Sequence, residues 1–161
     1  MEKPAMRRKD KSVADRDWIE NVLKEGQVIN IALATFGGEP YALPLGYGFE
    51  DGKIYIHGAP KGYKNDLISQ NPKVSFNVTV GVELERDEKG REFTYKYRSV
   101  TGFGTIREIT DIAEKNRALA ALMRQYDGPH DDITEEYAKA VWVAEIDIRE
   151  MTGKASGYPK P

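Results

Sequence analysis

Residues 28–57 read VINIALATFGGEPYALPLGYGFEDGKIYIH, and this stretch decides the fold. Val28 to Thr35 is a run of β-branched and small residues, which predicts a strand. Phe36-Gly37-Gly38-Glu39 predicts a tight hairpin connection, and Tyr41 to Phe49 is the returning strand. Pro44 has no N–H to give a ladder, so this strand must carry a free edge or a bulge there. Asp51-Gly52 is a strong hairpin turn signal. Lys53 to His57 follows as a third strand, with Ile54 and Ile56 on one face and Tyr55 and His57 on the other. Three strands in hairpin order imply an antiparallel sheet.

The pattern extends in both directions. Upstream, Ser12 and Asp15 stand at capping-box spacing, and Trp18, Ile19, Val22 and Leu23 recur at helical spacing. They predict a helix over 13–25, stopped by Gly26. Downstream, Tyr63 to about Gln70 reads as a short helix ended by Asn71-Pro72. Lys73 to Leu84 alternates Val74, Phe76, Val78, Val80 and Val82 on one face, a fourth strand. Arg86 to Gly90 is a polar turn. Glu92 to Ile109 is a long strand in which Gly102 and Gly104 suggest a bend or bulge. Thr110 and Asp111 cap a further helix carrying Ile112, Leu119, Leu122, Met123 and Tyr126. Residues 127–132 read as a loop and 134–139 as a helical stretch. Val141 to Ile148 alternates again as a last strand, and Thr152 to Pro161 reads as a polar surface tail. The tally is about six strands with peripheral helices, a mainly β chain whose strands close or nearly close into a barrel.

Composition narrows the function. The chain has 161 residues, 31% of them charged, with a net charge of -2. One domain over residues 1–161 fits that length. The charge balance lacks the basic excess of a nucleic-acid binder. Basic residues do gather at the start, at Lys3, Arg7, Arg8, Lys9 and Lys11, as an arm over 1–12. It is either a solvated segment or one that reaches an anionic ligand or a partner subunit. No cysteine is present, which removes disulfides and thiolate chemistry. No apolar run is long enough to span a bilayer, and no signal-peptide core follows the basic start. The expectation is a soluble, cytoplasmic protein without membrane or nucleic-acid partners.

Three segments can carry chemistry. In Ile56-His57-Gly58-Ala59-Pro60-Lys61-Gly62-Tyr63-Lys64 a strand enters a glycine-containing loop and then a helix. Unpaired N–H groups at the helix start, with Lys61 and Lys64 beside them, would suit a terminal phosphate. Lysines near a helix start are equally ordinary surface residues. In Tyr97 to Gly104, Arg98 and Ser99 can hydrogen-bond a phosphate or a ring edge, or they can simply belong to a strand. In Tyr41 to Tyr47, the break at Pro44 leaves backbone groups that match the polar edge of a flat heterocycle, although an edge strand alone explains it. Two histidines, His57 and His130, are too few for a histidine-rich metal site, and no metal is expected. Gly102-Phe103-Gly104 is no dinucleotide fingerprint, because Arg107 stands where glycine is needed.

Together the segments resemble the FMN-binding split-barrel superfamily, the pyridoxamine 5'-phosphate oxidase-like proteins, and within it the Nim nitroimidazole-resistance branch. The resemblance runs from Met6-Arg7-Arg8-Lys9-Asp10 to Thr152-Gly153-Lys154. It is carried by Pro40 to Leu45, Tyr55 to Ala59, Gly62-Tyr63-Lys64 and Tyr97 to Gly104. It implies a six-stranded antiparallel split β-barrel, a homodimer and two FMN sites shared across the interface, with FAD as the alternative cofactor. It further implies that Leu43, Pro44, Leu45 and Tyr47 lie along the flavin ring, and that His57, Gly58 and Ala59 lie near the ribityl chain and phosphate. Lys64 matches a phosphate ligand, and Arg98, Ser99 and Val100 match the strand that completes the site. Position 63 is often basic in the family and is Tyr63 here, a loss that Lys61 can replace. The C-terminal segment by which the true oxidases bind substrate is missing, so pyridoxal-phosphate synthesis is not expected. The implied activity is NAD(P)H-linked reduction of a small acceptor such as a nitroaromatic. A flavin-binding protein without turnover, for storage or redox sensing, is the alternative. His57 is the expected catalytic residue, acting as a general acid, unless it only positions the cofactor.

Overall fold

The computed structural model describes residues 7–35, 37–86, 93–130 and 133–161. After a 3-10 turn at Lys9–Lys11, the chain runs β1 (Ser12–Val13), α1 (Arg16–Glu25), β2 (Val28–Ala34), β3 (Pro40–Glu50), β4 (Lys53–Gly58), α2 (Tyr63–Gln70), β5 (Lys73–Glu85), β6 (Thr94–Glu108), α3 (Ile112–Gln125), α4 (Glu135–Ala140) and β7 (Trp142–Ser156). The strands pair in the order β1-β7-β4-β3-β2-β5-β6, and β7 also pairs with β6. That last pairing closes β7, β4, β3, β2, β5 and β6 into a ring, so six strands form an antiparallel barrel and the two-residue β1 is an appendage. Closing the ring pairs most strand edges, which limits unwanted edge-to-edge pairing.

The core is the alternating inner face of these strands. Ile29, Ile31 and Leu33 of β2, Ile54 and Ile56 of β4, and Val74, Phe76 and Val78 of β5 are all buried. Ile19, Val22 and Leu23 of α1 join the same cluster. Ile109, Leu119, Leu122 and Val143 form a second cluster under α3 and α4. Close packing of α3 on β3 depends on Gly48, where a Cβ would stand 2.7 Å from the backbone of Ala121. The turn at Asp51 and Gly52 has both residues at positive φ, 52° and 74°, as a two-residue hairpin with the right twist requires.

Several expectations need correction. Asp15, not Ser12, caps α1, accepting from Trp18 N at 2.7 Å. The helix therefore starts at Arg16, because Ser12 and Val13 are held by Lys154 and Gly153 of β7. The last strand does not stop near Ile148. β7 continues to Ser156, paired with β6 throughout, and Gly153, Ala155 and Ser156 are buried. Small residues are what the crowding allows, since a Cβ at Gly153 would meet the Trp18 ring at 2.7 Å. Only the residues beyond Ser156 match the tail expected over 152–161. The expected irregularity near Gly104 exists, as a register shift between Phe103 and Gly104 that leaves Arg149 of β7 unpaired with β6. Val82, expected on the inner face, is exposed beyond a second shift between Val80 and Glu83. Phe36 in the first hairpin connection, most of the Arg86–Gly90 turn, the 131–132 part of the loop and residues 1–6 of the basic arm lie outside the described residues.

Candidate functional site

The site grows from one end of the barrel, where β4 ends, α2 begins and β7 starts. Gly58, the last residue of β4, pairs with Trp142, the first of β7. Between β4 and α2 the chain turns through Gly62 at φ 140°, a conformation that glycine alone adopts without strain. Gly62 is also the N-cap of α2 and offers no side-chain hydrogen bond to the helix start. The other three helices are capped by the side chains of Asp15, Asp111 and Thr134. In α2 the equivalent amide, Asn65 N–H, donates instead to the backbone Gly62 O at 2.9 Å, so no side chain covers this helix start.

Lys64, in the first turn of α2, folds back over the indole of Trp142, with Nζ 3.3 Å from the ring centroid. This Nζ is buried and finds no hydrogen-bond acceptor among the described residues. Burial lowers its pKa from 10.5 to about 8, and the Glu108 carboxylate opposes that shift. His57 is half-buried nearby, and its pKa is lowered below 6.5 by burial and then by the Lys64 charge. Its imidazole is therefore neutral at pH 7. A buried, unpaired ammonium beside an uncapped helix start is an arrangement that binds anions.

β3 supplies a second feature. Its pairing with β4 covers only Tyr47 to Glu50, whereas its pairing with β2 runs from Pro40 to Gly46. Residues 40–46 therefore present a free edge on the β4 side among the described residues, as expected from Pro44. Tyr41 of this edge meets Tyr63 of α2 edge-on, with ring centroids 5.1 Å apart. The free edge and the helix start consequently border one region.

The structure separates the expected site residues into groups. His57, Gly58 and Lys64 converge, and Ala59 and Lys61 lie exposed in the loop beside them. Leu43 and Leu45 turn inward and pack against the core cluster, leaving Ala42, Pro44 and Gly46 outside. Tyr47 does not line a site: it is fully buried, its hydroxyl donates to Leu23 O, and its N–H donates to Tyr126 Oη at 2.7 Å. Val100 is likewise fully buried, so its side chain faces the core. Arg98 and Ser99 lie elsewhere in the protomer. Arg98 pairs with Ala155 of β7, whereas His57 pairs with Val143, twelve residues earlier on the same strand. At about 3.3 Å per residue, most of a barrel's length separates them. Arg98 donates to Glu25 at 2.7 Å, and its buried Nε finds no hydrogen-bond partner among the described residues.

Two contributors escaped the sequence. Trp142 reads there as a core residue in an alternating strand, and it does lie in the core, but its ring face carries Lys64. Tyr126 reads as part of the apolar face of its helix, yet its hydroxyl also donates to Gln27 O at 3.0 Å and closes one end of the β3 edge over Gly46. Both depend on contacts far apart in the chain, which no local pattern announces.

The fold and this strand end define a split β-barrel with an anion-receptive corner. The chain belongs to the pyridoxamine 5'-phosphate oxidase family, whose profile matches residues 15–155. Solved structures agree on the fold. A candidate 5-nitroimidazole antibiotic resistance protein from Bacteroides thetaiotaomicron superposes with a TM-score of 0.79 at 24% identity, covering 89% of this chain and 85% of that one. The flavocytochrome Anf3 from Azotobacter vinelandii gives 0.76 at 19% identity, over 96% and 73%. A FAD and heme binding protein from Mycobacterium smegmatis gives 0.73 at 22% identity, over 94% and 76%. Among curated proteins, none matches the chain by sequence. No helix among the described residues is long and apolar enough to cross a membrane.

Proposed function

We propose that this protein is a cytoplasmic flavoprotein of the Nim-like kind. It holds FMN between the subunits of a homodimer and reduces a small acceptor, such as a nitroaromatic, with NAD(P)H. The observation that carries the reading is the Lys64 ammonium, buried and without an acceptor among the described residues, beside the uncapped start of α2. A phosphate-bearing ligand fits it. Lys64 and the first amides of α2 hold the phosphate, and Lys61 is close enough in sequence to add charge. Along the 40–46 edge of β3, unpaired backbone groups meet the polar rim of the ring system. The bound flavin supplies the hydride and electron transfer, while the protein supplies binding and orientation.

The separation of the two residue groups supports a homodimer. Arg98 and Ser99 cannot reach the His57–Lys64 corner of their own protomer, but a two-fold axis brings the same surface of another copy to it. His57 acts as the general acid in this reading. Its imidazole, neutral at pH 7, accepts or donates one hydrogen bond beside the ring, and a proton delivered to the acceptor comes through it from water. His57→Ala should leave FMN affinity within a few-fold and cut acceptor reduction by ~10²-fold.

The deciding experiment titrates the purified protein with FMN, FAD and riboflavin by fluorescence quenching. NADPH and then a nitroaromatic are added while the flavin absorbance is followed. Bleaching by NADPH and recovery with the nitroaromatic support the proposal. Flavin bound but never bleached supports storage or sensing instead. Absence of any flavin binding ends the flavin reading.

A further inference from the structure

We propose that Trp142 is the positioning residue of the anion corner: its indole face holds the Lys64 ammonium in place of a carboxylate or carbonyl, which keeps the lysine charge available to an incoming phosphate. The proposal rests on the flavin reading above for the identity of the ligand, but not for the contact itself.

The geometry is local and specific. Lys64 Nζ lies 3.3 Å from the ring centroid, within the range of a strong cation–π contact. Trp142 is buried and its backbone is held by pairing with Gly58, so close packing surrounds its ring. The lysine end lies against Gly58, where a Cβ would stand at ordinary contact distance, 3.6 Å, from Nζ. The titratable groups acting on Lys64 are His57 from β4 and Glu108 from the end of β6, and neither forms a salt bridge with it.

The choice of an aromatic face has a chemical consequence. A carboxylate at this point would neutralise Lys64 and would repel a phosphate. A pair of carbonyls would consume its N–H donors. An indole face stabilises the cation through its quadrupole and leaves the N–H groups directed away from the ring without an oxygen acceptor. The ammonium is thereby held at one place with those donors unspent.

The test uses Trp142→Leu and Trp142→Phe in the full-length protein. Binding of FMN and riboflavin is measured by fluorescence quenching. The Lys64 titration is followed by NMR of the lysine ε-carbons in the ligand-free protein, assigned through Lys64→Met. Trp142→Leu keeps an apolar wall but removes the π face, so the charged lysine loses its stabiliser. Its titration midpoint should move to lower pH by about half a unit or more. FMN affinity at pH 7.5 should fall about ten-fold, riboflavin affinity should stay within two-fold, and Trp142→Phe should be intermediate. An unchanged midpoint, or equal losses for both ligands, would show that Trp142 only fills space and would overturn the proposal. If the wild-type protein binds neither flavin, the flavin reading fails and inorganic phosphate becomes the probe. Phosphate raising the Lys64 midpoint in the wild type but not in Trp142→Leu then supports the role of Trp142, and no such difference refutes it. Should Trp142→Leu fail to fold, the same readings on Trp142→Phe decide.

Discussion

Lys115, in α3, has its ammonium out of water and donates to Ala138 O at 3.2 Å and Val141 O at 2.8 Å, the carbonyls that end α4 and lead into β7. Lys64, in α2, also has its ammonium out of water, but it lies on an aromatic face and donates to no acceptor among the described residues. The chain gives one of these lysines two carbonyl acceptors and leaves the other in want of a partner among the described residues. Desolvating an ammonium is costly, so a satisfied one belongs to the scaffold and an unsatisfied one points to a ligand. Identical residue types thus carry opposite assignments, and the difference can be measured.

The largest effect should come from the scaffold lysine. Lys115→Met keeps the aliphatic stem and strands two carbonyls, which should cost about 2–4 kcal/mol. For a domain of this size that lowers Tm by about 5–15 °C in scanning calorimetry. Its ratio of FMN to riboflavin affinity should match the wild type. A changed ratio at intact stability would erase the distinction between the two lysines.

Lys64→Met should behave in the opposite way. The ligand-free protein should be as stable as the wild type at pH 7, or more so, since an uncompensated charge is removed. FMN affinity should fall by about 1.5–3 kcal/mol, one to two decades, while riboflavin, which lacks the phosphate, stays within two-fold. Quenching titrations with both ligands and one urea denaturation curve check this. A destabilised variant with equal losses for both flavins would place Lys64 in the scaffold beside Lys115.

The comparison also marks how far the sequence could be read. The bounds of α2 are legible because Gly62 on one side and Asn71-Pro72 on the other punctuate it. The first hairpins are legible because Pro44, Asp51 and Gly52 each dictate backbone geometry. Lys64 is legible as a candidate, but not as distinct from Lys115, because the carbonyls of Ala138 and Val141 and the ring of Trp142 come from remote strands and helices. Tyr47 misleads because it sits next to the Pro44 break. Period-two alternation already places it with Leu43 and Leu45 on the inner face, and that rule wins over proximity. The second half of β7 is hidden because its buried residues are glycine, alanine and serine, which carry no hydrophobic signal.

Acidity gives a third, smaller effect. The Lys64 pKa of about 8 lies below the ordinary lysine value. The folded protein therefore binds fewer protons than the unfolded chain between about pH 8 and 10.4, and this group favours folding more as pH rises through that window. Phosphate binding runs the other way, because it requires the protonated ammonium. FMN affinity should fall about ten-fold between pH 7 and 9, while the phosphate itself stays a dianion, and riboflavin affinity should stay flat. Equal pH profiles for the two ligands would mean that Lys64 does not meet the phosphate.

The smallest effect is expected at Gly58, and it discriminates between two uses of the same space. An alanine Cβ there would lie 3.6 Å from Lys64 Nζ and 3.9 Å from its Cε, ordinary contact distances. The backbone of Gly58 is not among the positive-φ glycines, so alanine adds no strain. Replacing glycine in a strand also reduces the entropy lost on folding. Gly58→Ala should therefore stabilise the protein by about 0.5 kcal/mol and leave FMN affinity within two-fold, as calorimetry and quenching would show. That outcome assigns the space over Gly58 to the lysine stem. A ten-fold loss of FMN affinity at intact stability would assign it to the ligand instead, with the phosphate lying against the Gly58 backbone. Lys64 would then have to leave Trp142 for FMN to bind, and the indole would be a resting place for the lysine rather than the support from which it acts.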